Sequence, residues 1–221
     1  MFGATGMVGG GALLACLAAT DVERVVTVGR TAVSLQHPKL EQLVAADLFD
    51  LATIEPRLQP FDACFFCLGV SSFRMGEAKY RRLTYDLTLH IANVLARLNR
   101  GMTFVYVSGA DTDGSEQGRT MWARVKGRTE NSLQRLAFKA VYLFRPGAIQ
   151  PVKGVRSKTA SYRILYVLLG PLLALVKLVR PDAVITTEGM GLAMLEVARH
   201  GAAEAVLESA DLKAIVARLT S

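Results

Sequence analysis

Short unbroken apolar runs alternate along the chain with longer stretches in which apolar residues return every three or four positions. The first pattern fits strands covered on both faces and the second fits helices with one buried stripe. Their alternation predicts βαβ units around a parallel sheet. Strands are predicted at Arg24 to Val28, Gln42 to Ala46, Ala63 to Leu68, Met102 to Ser108 and Ala140 to Phe144, with a short late one at Ala205 to Leu207. Helices are predicted over Val8 to Ala19, Ile54 to Leu58, Gly76 to Leu98, Arg119 to Leu136 and Gly189 to His200. No internal repeat, low-complexity tract or Pro/Gly/Ser-rich linker divides the 221 residues. One domain is the reading, with residues 148–188 contributing a small C-terminal lobe.

The start of the pattern is anomalous. A doubly wound fold begins with a central strand that delivers the chain into its first glycine turn, and here only Met1 and Phe2 stand ahead of Gly3. The first strand is a stub, which would leave backbone groups on both its neighbours without partners. Either translation starts upstream of Met1, or something else fills the slot.

Composition narrows the class. Apolar residues make up 51% of the chain and charged ones 20%, which excludes disorder and collagen-like repeats. The only cysteines are Cys16, Cys64 and Cys67, and no N-terminal stretch has the order of a secretory signal, so the expectation is a reduced, cytoplasmic protein. The net charge of +7 is unevenly placed: between Lys139 and Pro181 stand eight cations and no Asp or Glu. That segment has neither a reading helix nor an aromatic stacking platform, so nucleic acid is not the expected partner.

The opening Gly3-Ala4-Thr5-Gly6-Met7-Val8-Gly9 runs directly into an apolar helix. Glycine there allows a tight turn and a close backbone approach, and the helix N-terminus behind it favours an anion, so the motif reads as a pyrophosphate cradle. After the next strand stands Gly29-Arg30-Thr31, where an NAD site usually presents an acidic residue to the ribose 2′-hydroxyl. A guanidinium suits a 2′-phosphate, which favours NADP over NAD; Arg30 as a solvated loop residue or an adenine stack is the alternative. Asp47, followed by Leu48, comes just past a short apolar strand, at the height where an adenine amino group could be read.

Gly-Ala-Thr-Gly-Met-Val-Gly, Val28-Gly29-Arg30, Ala46-Asp47-Leu48, Cys67-Leu68-Gly69, Val105-Tyr106-Val107-Ser108 and Phe144-Arg145-Pro146-Gly147 together resemble the atypical short-chain dehydrogenase/reductase superfamily over nearly the whole chain. Within it the chain is similar to small bacterial NAD(P)-binding proteins called epimerase-like, related to the mammalian Tat-interacting protein of thirty kilodaltons. The resemblance implies a doubly wound parallel Rossmann sheet of order 3-2-1-4-5-6-7, with a C-terminal substrate lobe. It also implies cofactor contacts from Gly3, Thr5, Gly6, Met7, Val8, Gly9, Arg30, Asp47, Leu48, Leu68, Gly69, Val70, Lys126, Pro146 and Gly147. It implies a homodimer through the fourth and fifth helices, and no particular substrate.

The departure from that family lies in the catalytic set. Active members carry Tyr and Lys four residues apart, with Ser at the end of the preceding strand; Ser orients the carbonyl, Lys lowers the tyrosine pKa and holds ribose, and Tyr passes the proton. Ser108 and Lys126 match as the catalytic pair, but Trp122 stands where the tyrosine belongs, and an indole N–H transfers no proton at neutral pH. Tyr85 and Tyr162 are the candidate substitutes. Gly109 follows Ser108 where many relatives have a second hydroxyl.

Two further patterns resolve into packing. Cys64 and Cys67 match C-x-x-C, but three positions apart on a strand they point to opposite faces and fill the core. With His37, His90 and His200 scattered, no metal is predicted. The apolar stretch Ile164 to Val179 is sixteen residues, broken by Gly170-Pro171, too short to span a bilayer. It reads as short helices covering a substrate pocket, with peripheral contact to anionic lipid the less favoured reading. The function expected is an NADP-binding oxidoreductase or epimerase on an unknown small molecule, or else a non-catalytic NADPH-binding regulatory or protein-interaction module.

Overall fold

The computed structural model describes residues 1–151 and 184–220. The chain enters helix α1, Met7–Ala18, and then strand β1, Val25–Gly29, which pairs in parallel with β2, Leu40–Val44. Strands β3 (Ala63–Phe66), β4 (Thr103–Val107), β5 (Ala140–Arg145) and β8 (Val206–Glu208) form a parallel sheet in the order β3-β4-β5-β8. A single residue joins the two parts, for Phe2 makes parallel bridges to both Val28 and Phe66. Counting Phe2 as the first strand, the order is 3-2-1-4-5-6-7, as the family resemblance implies.

The strands are apolar throughout because both faces are covered. On one face Val26, Val28, Phe66, Phe104 and Tyr106 pack with Ile91 and Leu95 of α3, Leu87–Leu98. On the other Val25, Phe65, Val105 and Phe144 meet Leu13 of α1 and Met190 and Met194 of α5, Thr187–His200. Cys64 belongs to the first cluster and Cys67 packs against the second, so the C-x-x-C pair straddles the sheet.

Several predicted elements shift. The second predicted strand begins two residues earlier, at Leu40, because the ladder to β1 extends down to the Val25 amide on the Lys39 carbonyl, 2.8 Å. The predicted Ile54 to Leu58 helix is one 3₁₀ turn, Glu55–Arg57, around Pro56, which has no amide to propagate a helix. The single helix predicted from Gly76 to Leu98 is α2, Glu77–Arg81, a π turn Arg82–Asp86, and α3. The wider turn accommodates burial of Tyr80, Thr84 and Thr88 at a spacing of four before Ile91, Ala92 and Leu95 take over the buried face. The predicted Arg119 to Leu136 helix shortens to α4, Met121–Leu133, since Thr120 is extended.

Three elements have no counterpart among the predictions. Strands β6, Ala148–Gln150, and β7, Val184–Thr186, pair in parallel as a separate ribbon, and the chain ends in helix α6, Ser209–Thr220. The apolar stretch Ile164 to Val179 and its flanking cations Lys153, Arg156, Lys158, Arg163 and Arg180 lie outside the described residues, as does Tyr162. Among the described residues no helix is long and apolar enough to cross a membrane.

Candidate cofactor cleft and catalytic residues

The glycine turn divides its labour. Gly3 has φ +82°, and a Cβ on it would lie 2.6 Å from the Cys67 carbonyl carbon; a Cβ on Gly9 would lie 2.2 Å from the Gly3 oxygen. Both are required by the protein's own packing. Gly6 differs: it is exposed, its amide donates to the Gly3 carbonyl at 2.9 Å, and it leads into α1, whose first turn has no side-chain cap. The amides of Met7 and Val8 are therefore not engaged by any capping side chain at the positive end of the helix.

Beside this turn lies a cleft of about 330 Å³, lined among others by Gly3, Thr5, Gly29, Arg30, Leu48 and Leu68. Among the described residues no Asp or Glu lines it, and Arg30 is the only charged one that does. Asp47 is exposed beside Leu48 and does not line the cleft; its Oδ1 accepts the Phe49 amide at 2.9 Å, closing a local turn. Gly69 and Val70 follow Leu68 on the exposed loop after β3.

At the end of β4, Ser108 is buried and its amide donates to the Phe144 carbonyl at 2.8 Å. Its hydroxyl lies 3.0 Å from the Thr112 hydroxyl, which itself donates to the Gly109 carbonyl at 2.7 Å. With the threonine proton committed, the Ser108 proton points at Thr112. Trp122, half-buried at the start of α4, faces the same strand end, with ring carbon Cζ3 4.0 Å from where a Cβ on Gly109 would sit. The bulky indole thus stands beside a residue with no side chain.

Lys126, one turn further on α4, is half-buried; its Nζ donates to the Val107 carbonyl at 3.4 Å and lies 5.4 Å from the centre of the Tyr106 ring. Desolvation pushes its pKa down to about 8, against an opposing pull from Glu130. Glu130 is held instead by Arg145, with Nε to Oε1 at 3.1 Å and Nη2 to Oε2 at 2.5 Å. This buried carboxylate raises the Arg145 pKa and fixes the Arg145-Pro146-Gly147 corner. Pro146 accepts the Ala110 amide through its carbonyl at 3.0 Å, and the Gly147 amide donates to Ser209 Oγ at 2.7 Å.

Tyr85 does not stand near Ser108. Its hydroxyl lies 3.2 Å from Ser132 Oγ, and Ser132 is ten residues along α4 from Trp122, about 15 Å at helical rise. Thr112, Glu130 and Ser209 are absent from the sequence-level site. Glu130 and Ser209 meet Arg145 and Gly147 only on folding, whereas Thr112 is four residues from Ser108 and could have been found as a second hydroxyl in the same turn. Among the described residues no three His, Cys, Asp or Glu side chains gather to hold a metal.

No family model matches the chain. Among curated proteins it is 30% identical to the mitochondrial protein fmp52-2 of Aspergillus oryzae, over 67% of this chain and 66% of the relative. It is 26% identical to protein HTATIP2 of Rattus norvegicus, over 67% of this chain and 61% of that one. The chain thus spans just under two thirds of the length of these relatives. Among solved structures it superposes on the enzyme WbmF of Bordetella bronchiseptica, crystallised with NAD+, with a TM-score of 0.67 and 15% identity, covering 99% of this chain and 77% of that one. The expectation of a cytoplasmic protein is corrected by these relatives, since several fmp52 proteins carry a mitochondrial designation; scarce cysteine reports on redox state, which a reducing organelle interior shares with the cytosol. The fold, the motif order and the relatives agree that the chain belongs to the atypical short-chain dehydrogenase/reductase superfamily and is related to HTATIP2.

Proposed function

We propose that this protein binds a nicotinamide dinucleotide, preferring NADP, and acts as an oxidoreductase or epimerase on a small molecule through a site altered at its proton-transferring position. The observation that carries the reading is the uncapped start of α1 at exposed Gly6, next in the chain to Gly3, Ala4 and Thr5, which line a cleft whose only charged lining residue among the described residues is Arg30. The pyrophosphate would sit on the Met7 and Val8 amides, with Thr5 and Gly6 allowing its approach and Gly3 and Gly9 shaping the turn. Arg30 would take the 2′-phosphate in a bidentate contact, and Leu48 and Leu68 would hold the adenosine, with Asp47, Gly69 and Val70 at its border. Lys126 would hold the nicotinamide ribose, beside Pro146 and Gly147.

When bound, the group supplies or accepts a hydride. The chain's own part is to position the substrate and manage a proton. Ser108 can orient a carbonyl only by turning its hydroxyl away from Thr112. Trp122 stands at the strand end but offers no proton to an alkoxide. That substitution favours a second reading, a module in which the cofactor sets a binding surface and no reaction follows. In the first reading residues 148–188, of which 152–183 lie outside the described residues, would contribute the substrate lobe.

Calorimetry with NADPH and NADH tests the proposal. NADPH is expected to bind several-fold more tightly, and Arg30→Ala to abolish the difference while leaving NADH affinity in place. Equal affinities in the wild type would remove the 2′-phosphate role, and binding of neither would remove the cofactor reading.

A further inference from the structure

With Trp122 in place of a phenol, the proton for a reduction must come from another side chain. The phenols of the described residues are held elsewhere. Tyr85 is bound to Ser132 further along α4, and the Tyr142 hydroxyl accepts the Ala202 amide at 3.1 Å. Tyr80 and Tyr106 are buried, at 2% and 1% exposure. The Tyr106 hydroxyl is tied to Thr129, and burial holds its proton above the ordinary phenol range.

The Lys126 ammonium stands at the strand end that the reaction would use. Its Nζ approaches the Val107 carbonyl at 3.4 Å, one peptide unit from the Ser108 Cα. An ammonium carries three N–H donors. The Val107 carbonyl takes one, and among the described residues Nζ has no other hydrogen-bond acceptor. The ribose of a bound dinucleotide would take the second, which leaves the third for a substrate oxygen. After that proton is given up, the neutral amine still has two N–H groups for the carbonyl and the ribose. Holding the cofactor and releasing a proton are therefore compatible at one atom.

The surrounding charges leave this proton weakly held. Glu130, one turn on in α4, gives both oxygens to Arg145 of β5, at 3.1 and 2.5 Å, and Arg145 also reaches Glu208 of β8 at 3.4 Å. Arg124 is turned away to Glu77 of α2, at 2.9 Å. In the loop after β4, Asp113 has its carboxylate on the Ser115 and Gly118 amides, at 3.0 and 2.6 Å, and Asp111 is exposed. From β4 the face of the Tyr106 ring meets the ammonium, 5.4 Å from its centre. Lys126 thus has no carboxylate partner of its own among the described residues. Its burial brings its proton affinity toward the range in which a side chain can both hold and release a proton near neutral pH.

We propose, resting on the reading of a dinucleotide-dependent reductase, that Lys126 is the proton donor of the reaction, replacing the tyrosine that Trp122 displaces. In the reducing direction the carbonyl carbon receives the hydride of NADPH, its π pair passes to oxygen, and that oxygen takes a proton from Nζ. The carbonyl becomes an alcohol and the nicotinamide is oxidised. The neutral amine regains a proton from solvent, so one proton is consumed per turnover.

The test uses the full chain with NADPH and propanal. Lys126→Arg keeps a cation for the ribose, but a guanidinium releases no proton at working pH. It is expected to lower kcat by about a hundredfold or more, the scale of a positioned acid, while calorimetric affinity for NADP+ changes by less than about tenfold. Wild-type kcat is expected to fall as pH rises through about 8, because the donor must enter protonated. Lys126→Cys alkylated with 2-bromoethylamine rebuilds an ammonium of similar reach and lower pKa. It is expected to recover turnover with that fall moved to lower pH; the buried thiols of Cys16 and Cys64, pushed up to about 11, are spared by the reagent. Without any turnover, the resonance of 13C-methylated Lys126, assigned by its loss in Lys126→Arg, is expected to titrate near pH 8. Equal kcat in Lys126→Arg and the wild type, none in either included, overturns the proposal, and so does a loss confined to cofactor affinity. An alkylated variant with an unmoved pH profile, a Lys126 resonance titrating at the ordinary lysine value, or a Tyr162→Phe variant that loses turnover as completely would each overturn it as well. Binding of neither nucleotide would remove the dinucleotide reading and this proposal with it, whereas binding with turnover indifferent to Lys126 removes the proposal alone.

Discussion

Lys126 carries its charge in a setting that resists it. Its Nζ reaches a single carbonyl at 3.4 Å and the face of Tyr106, while the carboxylate one turn along the helix is taken by Arg145. With the pKa brought down to about 8, the folded protein holds this proton less tightly than the unfolded chain does. The lysine therefore opposes folding below about pH 8, and that penalty relaxes as pH rises toward the ordinary lysine value. A ribose held by the ammonium should be bound most tightly below that pH. Cofactor affinity is expected to fall as pH rises through about 8, and Lys126→Met to lower affinity at neutral pH and flatten the profile; a wild-type profile flat across this range would remove the ammonium from the binding site. Trp122 poses the complementary test. Restoring a phenol with Trp122→Tyr should raise NADPH oxidation with small aldehydes by about tenfold to a hundredfold, the lower part of the range for positioned acid catalysis. A wild type that already turns over briskly, unchanged by Trp122→Phe, would show that another group supplies the proton.

Two helices owe their approach to residues without side chains. A Cβ on Gly11 of α1 would lie 2.3 Å from the Thr187 carbonyl oxygen at the start of α5, and one on Gly191 of α5 would lie 2.7 Å from the Gly11 oxygen. Neither obstacle is a side chain that can swing aside, so the helices would have to separate. Gly11→Ala is expected to cost about 1–3 kcal/mol in urea denaturation. Gly6→Ala should cost far less stability, because Gly6 is exposed, yet weaken cofactor binding; equal stability losses in the two would mean that the turn and the crossing are not distinct in role. These glycines illustrate what was legible. Gly3, Gly6 and Gly9 form a local motif whose conformation is encoded within seven residues, and the strands with both faces covered announce themselves as unbroken apolar runs. Gly191 meets Gly11 across the fold, and Glu130 meets Arg145 the same way, so neither partnership has a sequence signature. The π turn at Arg82–Asp86 is likewise hidden, since its residues keep the apolar spacing of an ordinary helix. Helix α6 could have been read from Leu212, Ile215, Val216 and Leu219 at helical spacing; the three-residue strands β6 and β7 carry too little pattern to read.

At the scale of the molecule the sheet is two pieces held at one residue. On one side lie β1 and β2, on the other β3, β4, β5 and β8, and Phe2 is the only described residue bridged to both. Its ring is 2% exposed and stacks on Phe66 with centroids 5.6 Å apart, so the seam is closed by packing as well as by hydrogen bonds. The candidate cofactor cleft straddles the same seam, drawing Gly3 from the chain just past Phe2, Val28 and Gly29 from one piece and Leu68 from the edge of the other. Seam and site should therefore be coupled. Phe2→Ala is expected to lower stability by about 3–5 kcal/mol, as truncating a buried phenylalanine does, and to weaken dinucleotide binding as well, because the two walls of the cleft lose their common anchor. Leu143→Ala is the control: Leu143 is equally buried, in β5 away from the cleft, and its truncation should cost about 2–5 kcal/mol with little change in affinity. Denaturant titration and calorimetry on both variants separate the two effects. If both lose the same affinity for the same stability, the cleft responds only to the general firmness of the fold; if Phe2→Ala alone releases the cofactor, the seam is what positions the site.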